Sequence, residues 1–262
     1  MKNMLKVEIL RVDVTSGEAE RMVDFVAEEK PLYVFLNKTH YVTLFCSPSN
    51  LKELVLGFLL SEHIVKSIED IDKISLEETV CKVKLKPEID LKQKLSFSRH
   101  FSRVVLSTCG SQLPHPFSGR LPKVKSRLVV KAETILDCVN RLNSLAETYR
   151  RTGGVHVAAI FKIDGCLLAF AEDVGRHNAV DKVIGMVALG KADFGECFLA
   201  LSGRLSSEIV LKAARVGLPL VASLAAAIDS GVKIAEKANL TLVGFVRGKR
   251  MNVYSFPERI IS

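Results

Sequence analysis

Apolar and polar residues alternate over Lys6–Val14 and Leu32–Leu36, which puts every second side chain on one face and predicts strands. Tyr41–Cys46 reads as a third strand, joined to the second by an Asn37-Lys38 turn. Pro48-Ser49-Asn50 opens a run of helical spacing that reaches about Val65, with Asn50 and Glu53 set as a capping pair. Val80–Leu85 is a further short strand that Pro87 ends. From Ser96 to Arg127 the chain is rich in Ser, Gly, Pro and Arg, and it reads as a strand near Val104 followed by a long loop.

The second half alternates more regularly. A helix over Glu133–Arg150 precedes a hairpin, Val155–Ile163 and Leu167–Ala171, that turns at Asp164-Gly165. A helix Ala179–Leu189, a strand Cys197–Ser202, a helix Ser207–Val216 and a strand Leu218–Ser223 follow. The pattern closes with a helix Ile228–Ala238 and strands Leu240–Val246 and Met251–Ser255. Such alternation predicts an α/β layered sheet with helices on its faces. Three regions are expected: an α+β domain over 1–106, a mobile basic loop over 107–130, and an α/β domain over 131–262.

Composition narrows the class. The 262 residues are 48% hydrophobic and 25% charged, as in a soluble globular protein. The apolar runs Leu54–Leu60 and Val216–Ile228 are too short to span a bilayer. No secretory h-region opens the chain, so a cytoplasmic protein without a membrane partner is expected. The formal charge of +8 favours anionic partners. Between Lys92 and Lys131 there is no acidic residue. Six cysteines at irregular spacing, with no Cys-x-x-Cys, argue for separate reduced thiols and against zinc.

Cys109 stands inside that basic stretch, at the end of a predicted strand and before Gly110. Nearby cations favour the thiolate, which is the nucleophilic form. The other five cysteines sit in apolar or periodic segments and read as small core residues. A second concentration of polar groups is Glu172-Asp173-Val174-Gly175-Arg176-His177-Asn178, at a junction of strand and helix. Asn178 reads there as the N-cap, and the free N–H groups with Arg176 and His177 suit a phosphate or oxyanion. An ordinary capped helix with solvated charges gives the same residues. Ser202-Gly203-Arg204 repeats the pattern before the next helix. Gly153-Gly154 lets a backbone approach a ligand closely, and His156 enters the following strand as either a site or a core residue. Phe245, Val246, Arg247, Gly248, Lys249 and Arg250 join the last two strands as a cationic turn, either a solvated tip or a phosphate grip.

Taken in order, these segments resemble the formate dehydrogenase accessory sulfurtransferase family, FdhD. The run EDVGRHNAVDKVIG over Glu172–Gly185 is the most specific match. Leu56–Glu62, Gly153–His156, Ser202–Arg204 and Gly244–Ser255 fall in the family's order around it. The resemblance implies a sulfur relay. A cysteine desulfurase would load a persulfide on Cys109, which would pass it to the molybdenum bis-(molybdopterin guanine dinucleotide) cofactor that formate dehydrogenase needs. It also implies cofactor contacts at Phe245–Arg250, a carboxy-terminal domain of cytidine-deaminase-like fold and a homodimer. Gly153, His156, Arg176, His177, Asn178, Ser202 and Arg204 complete the expected binding set.

Two positions depart from the family pattern. Gln112 stands where a second loop cysteine is usual, and Ala225-Ala226-Ala227 replaces a Ser-Ala-Pro-Thr-like turn. A cofactor chaperone without sulfur transfer is the alternative. A zinc deaminase is excluded, since His156 is followed by Val157-Ala158 and no cysteine pair has the spacing. A nucleic-acid-binding module is disfavoured by the scarcity of aromatic residues in the basic loop.

Overall fold

The computed structural model describes residues 3–89, 103–105 and 121–261. It is a mixed α/β fold with six α-helices among the described residues. An amino-terminal ribbon of β1 (Met4–Val12) and β2 (Ala19–Ala27) leads into a five-stranded sheet. That sheet holds β3 (Lys30–Leu36), β4 (Thr39–Cys46), β5 (Ile71–Glu77), β6 (Val80–Leu85) and β7 (Arg103–Val105), in the order β5-β6-β3-β4-β7. Helix α1 (Leu51–Ser61) follows β4.

The carboxy-terminal half begins with β8 (Val130–Lys131), α2 (Ala132–Leu145) and α3 (Glu147–Thr152). Next come β9 (His156–Lys162), β10 (Leu167–Asp173), α4 (Arg176–Leu189), β11 (Cys197–Leu201) and α5 (Ser207–Val216). Strand β12 (Leu220–Ser223), α6 (Asp229–Ala238), β13 (Thr241–Arg247), β14 (Arg250–Ser255) and β15 (Ile260–Ile261) complete it. Six of these strands form one sheet in the order β10-β9-β11-β12-β13-β14. Strands β11, β12 and β13 are mutually parallel, and β9, β10 and β14 pair antiparallel with their neighbours.

Period-two burial explains the layers. Along β9, Ala158 and Ile160 point into one apolar cluster while Val157, Ala159 and Phe161 point into another. The second cluster is covered by α2, through Ile135, Cys138, Val139 and Leu142. The first is covered by α1, α4, α5 and α6, and it continues without a break into the inner face of the five-stranded sheet through Leu32, Val34, Leu44 and Val83.

Helices α1 and α4 cross in backbone contact. A Cβ added at Gly57 would overlap the Asp181 carbonyl, and one at Gly185 would overlap the Glu53 carbonyl. Both glycines lie in segments that carry the family resemblance, so part of that resemblance is a packing requirement. No described helix is long and apolar enough to cross a membrane.

The structure corrects several expectations. Asn50 is left-handed (φ 53°) and its side chain makes no cap bond, and α1 ends at Ser61 rather than near Val65. The expected helix over 133–150 is two, broken at Ala146, which is fully buried and has non-helical ψ of 85°. Helix α4 starts at Arg176, three residues before the predicted Ala179, with Gly175 rather than Asn178 as its N-cap. Strands β2 and β5 were not expected. Cys166, expected in the core, is exposed on the β9–β10 hairpin.

Candidate functional site

Topology gathers the predicted segments on one edge of the six-stranded sheet. Strands β11, β12 and β13 all end there, β10 ends there, and β9 and β14 begin there. The edge therefore presents, in spatial order, Arg176 after β10, Gly153–His156 before β9, Ser202–Arg204 after β11, Ala225–Ala227 after β12, and Phe245–Arg250 across β13 and β14. Strands lie about 4.8 Å apart, so the row spans about 24 Å. Ligands of open α/β sheets bind outside the carboxyl ends of such strands.

At one end, His156, Arg176 and Gly203 are packed together. A Cβ at Gly203 would stand 3.2 Å from Arg176 Cβ and 3.7 Å from His156 Nδ1. A side chain there would push the arginine away. Burial holds the His156 imidazole below its usual pKa, and Arg176, His177 and Arg204 add to the shift. The cluster is thus a neutral imidazole among cations. His177 Nε2 lies 3.2 Å from Glu208 Oε2 on α5, and this contact holds the Glu208 carboxyl below its usual pKa. Arg204 is exposed at the rim. Ser206, which precedes α5, has a buried hydroxyl with no hydrogen-bond partner among the described residues. A buried polar group in that state is destabilising until a ligand or water satisfies it.

At the other end, β13 bulges. Phe245 takes a positive φ of 51°, costly for an aromatic residue, and its N–H donates to the Ala225 carbonyl at 3.0 Å. The guanidinium of Arg247 lies over the Phe245 ring, 4.9 Å from its centre. Arg247, Gly248, Lys249 and Arg250 are exposed, with Gly248 at a positive φ of 61° in the turn. Val246 points the other way and is fully buried in the core under α2.

Several polar residues of the Glu172–Lys182 run are occupied internally. Asp173 and Lys182 form a wholly buried ion pair of 2.7 Å. The same carboxylate accepts from Ser47 N–H (3.1 Å), Gly175 N–H (2.8 Å) and Asn178 Nδ2 (3.0 Å). Burial pushes the Asp173 pKa up, and Lys182 and these donors oppose that shift. Asn178 Nδ2 also donates to the Phe45 carbonyl at 2.8 Å. This carboxylate and amide therefore fasten the β4–α1 loop to the start of α4. Glu172 accepts from the Thr148 and Tyr149 N–H groups and so caps α3. Asp181 is buried with Lys212 at 2.9 Å and Ser61 Oγ at 2.6 Å. Ser202 Oγ accepts from Val157 N–H at 3.0 Å, which fixes β9 beside the loop after β11.

Cys109 lies outside the described residues. Burial raises the thiol pKa to about 12 for Cys46 and about 11 for Cys81, Cys138 and Cys197, which leaves them protonated and unreactive near neutrality. Cys166 is accessible, but it sits where β9 ends, six residues and about 20 Å along the strand from His156. Among the described residues no group of three His, Cys, Asp or Glu side chains could hold a metal ion.

Sequence reasoning had no signal for Ser47, Ser61, Glu208 or Lys212, because each acts through a partner more than 30 positions away. A family model described as FdhD/NarQ matches residues 27–261. This chain belongs to the FdhD/NarQ family. Relatives in the family include the "Sulfur carrier protein FdhD" of Sulfolobus acidocaldarius, 38% identical over 97% of this chain and 98% of the relative. The protein of the same name in Bacillus subtilis is 35% identical over 93% of each chain. A solved structure of a candidate formate dehydrogenase accessory protein from Desulfotalea psychrophila superposes with a TM-score of 0.78. It shares 26% identity and covers 98% of this chain and 99% of that one.

Proposed function

We propose that the chain is a sulfurtransferase that receives sulfur from a cysteine desulfurase as a persulfide on Cys109. It then delivers that sulfur to the molybdenum bis-(molybdopterin guanine dinucleotide) cofactor destined for formate dehydrogenase. The observation that carries the reading is the convergence of Gly153–His156, Arg176–His177, Gly203–Arg204 and Arg247–Arg250 on one sheet edge. Relatives named as sulfur carriers, aligned along nearly the whole chain, support it.

The acceptor substrate carries two pyrophosphates and two guanines, and the edge suits that chemistry. Arg176 and Arg204 precede or open helices α4 and α5, whose first N–H groups face the same end. Arg247, over the Phe245 ring, and the exposed Lys249 and Arg250 offer charge, the two arginines also as bidentate donors. The Ser206 hydroxyl, buried without a partner among the described residues, would suit an oxyanion of the substrate. In the transfer itself the sulfur–sulfur bond breaks, Cys109 leaves as the thiolate with the bonding pair, and the terminal sulfur passes on at the zero-valent level.

The test is intact-mass analysis after incubation with a cysteine desulfurase and cysteine. One added, reductant-labile sulfur atom is expected on the wild type and on Cys166→Ser, and none on Cys109→Ala. In cells, Cys109→Ala should leave formate dehydrogenase inactive. Activity that survives the substitution would establish a chaperone instead.

A further inference from the structure

The outer face of the five-stranded sheet, turned away from the core, holds a groove of about 760 Å³ lined by β3, β5, β6 and the turn after β3. Along β3, Leu32, Val34 and Leu36 point into the core, so Tyr33 and Phe35 point outward. Tyr33 is 41% exposed and stands opposite Val80, and Phe35 is half-buried and stands opposite Lys82. On the other side His40 packs edge-on against Phe35, with ring centres 5.4 Å apart, and its Nε2 is hydrogen-bonded to Thr43 Oγ1 at 2.9 Å. The rings form one apolar column down the middle of the face.

A second column carries charge. Lys82 and Lys84 point outward on β6, where Ser75 stands opposite Lys82 and Lys73 opposite Lys84. Two ammonium groups directly across a ladder repel each other. Lys84 pairs with Asp72 (2.5 Å) and Lys82 with Glu77 (2.9 Å), on side chains 44–70% exposed. Exposed pairs of this kind are worth little and exchange readily for a better anion. Lys38 and Lys73 have no ion-pair partner among the described residues. An aromatic floor beside an excess of positive charge suits a ligand with flat apolar faces and regularly placed anions.

We propose that this face binds single-stranded RNA, with successive bases on Tyr33 and Phe35 and the phosphates along Lys73, Lys82 and Lys84. Two residues along a strand set the two rings about 7 Å apart. A duplex strand advances only about 3.4 Å per nucleotide. The spacing therefore fits unstacked bases, each offering a π-face to one ring. An acidic peptide would neutralise the lysines but brings no planar faces in register with the rings. Tyr33 and Ser75 also bring hydroxyls to the groove, suited to the ribose 2′-OH that DNA lacks. The contact lies on the sheet, apart from the basic stretch whose scarcity of aromatic residues disfavours such binding. It is independent of the sulfur-transfer reading.

Fluorescence anisotropy of labelled hexauridylate with the full chain tests this. The wild type should bind it. Lys82→Glu/Lys84→Glu should lower the affinity about tenfold or more and flatten its salt dependence. The chain has no tryptophan, so a base stacked on Tyr33 should quench tyrosine emission. Tyr33→Leu should lose that quenching together with about tenfold in affinity. Both variants alter exposed positions, and far-ultraviolet circular dichroism should be unchanged in each. A hexamer without bases, hexadeoxyuridylate and hexaglutamate should each bind more weakly than hexauridylate. No binding by the wild type, equal binding of any of those three ligands, or wild-type affinity in either variant would overturn the proposal.

Discussion

Asp173 and Lys182 illustrate how polar density misleads when burial is unknown. In the sequence they belong to a crowd of charges at a helix start, and function is a natural reading. In the fold they face each other with no solvent access, and Asn178 joins them. A buried pair holds its geometry because either charge alone would be left uncompensated. Lys182→Met should therefore cost about 3–5 kcal/mol of unfolding free energy, measured by urea denaturation. His156 makes a different prediction. Its folded pKa is depressed, so below about pH 6.5 the unfolded chain binds more protons than the folded one. Stability from this residue is present above that pH and falls as pH drops through the window beneath it. The melting temperature of His156→Gln should accordingly decline less than that of the wild type between neutral and mildly acidic pH.

Among the elements, the crossing of α1 and α4 is decided by two glycines. Helix interiors disfavour glycine by about 1 kcal/mol relative to alanine. Here the sign reverses, because Gly57 and Gly185 each touch the other helix's backbone. Gly57→Ala should destabilise by about 3 kcal/mol or more, since backbone cannot yield as a side chain can. Chemical denaturation followed by circular dichroism measures it. Strand β5 escaped the sequence because it lies at a sheet edge, with Asp72, Lys73 and Glu77 exposed, so its alternation is weak. Strand β2 escaped for a related reason: neither face of the ribbon is fully buried, and no polar-apolar rhythm is enforced. The α4 start was misplaced because Asn178 is a good capping residue by type. Its amide is drawn back to Asp173 and the Phe45 carbonyl, contacts that only the fold supplies.

Across the whole molecule, the sheet edge joins two ends that should contribute separately to ligand binding. Arg247→Glu/Arg250→Glu should lower affinity for GDP, a fragment of the proposed acceptor, roughly tenfold or more in calorimetric titration. Val246→Ala should act mainly on stability, since that side chain faces the core. The sequence by itself determined the alternation of strands and helices in the second half and the segments that bear arginine, histidine and glycine. Those features are local, written in period and turn chemistry within a dozen residues. It also isolated Cys109 by its basic setting, on residues the structure does not describe. Only the tertiary structure decided which polar groups of those segments hold the molecule together and which face outward. That division depends on strand order and on partners such as Ser47 and Lys212, distant in the chain, whose burial sets whether a charge must be paired inside or is left for a ligand.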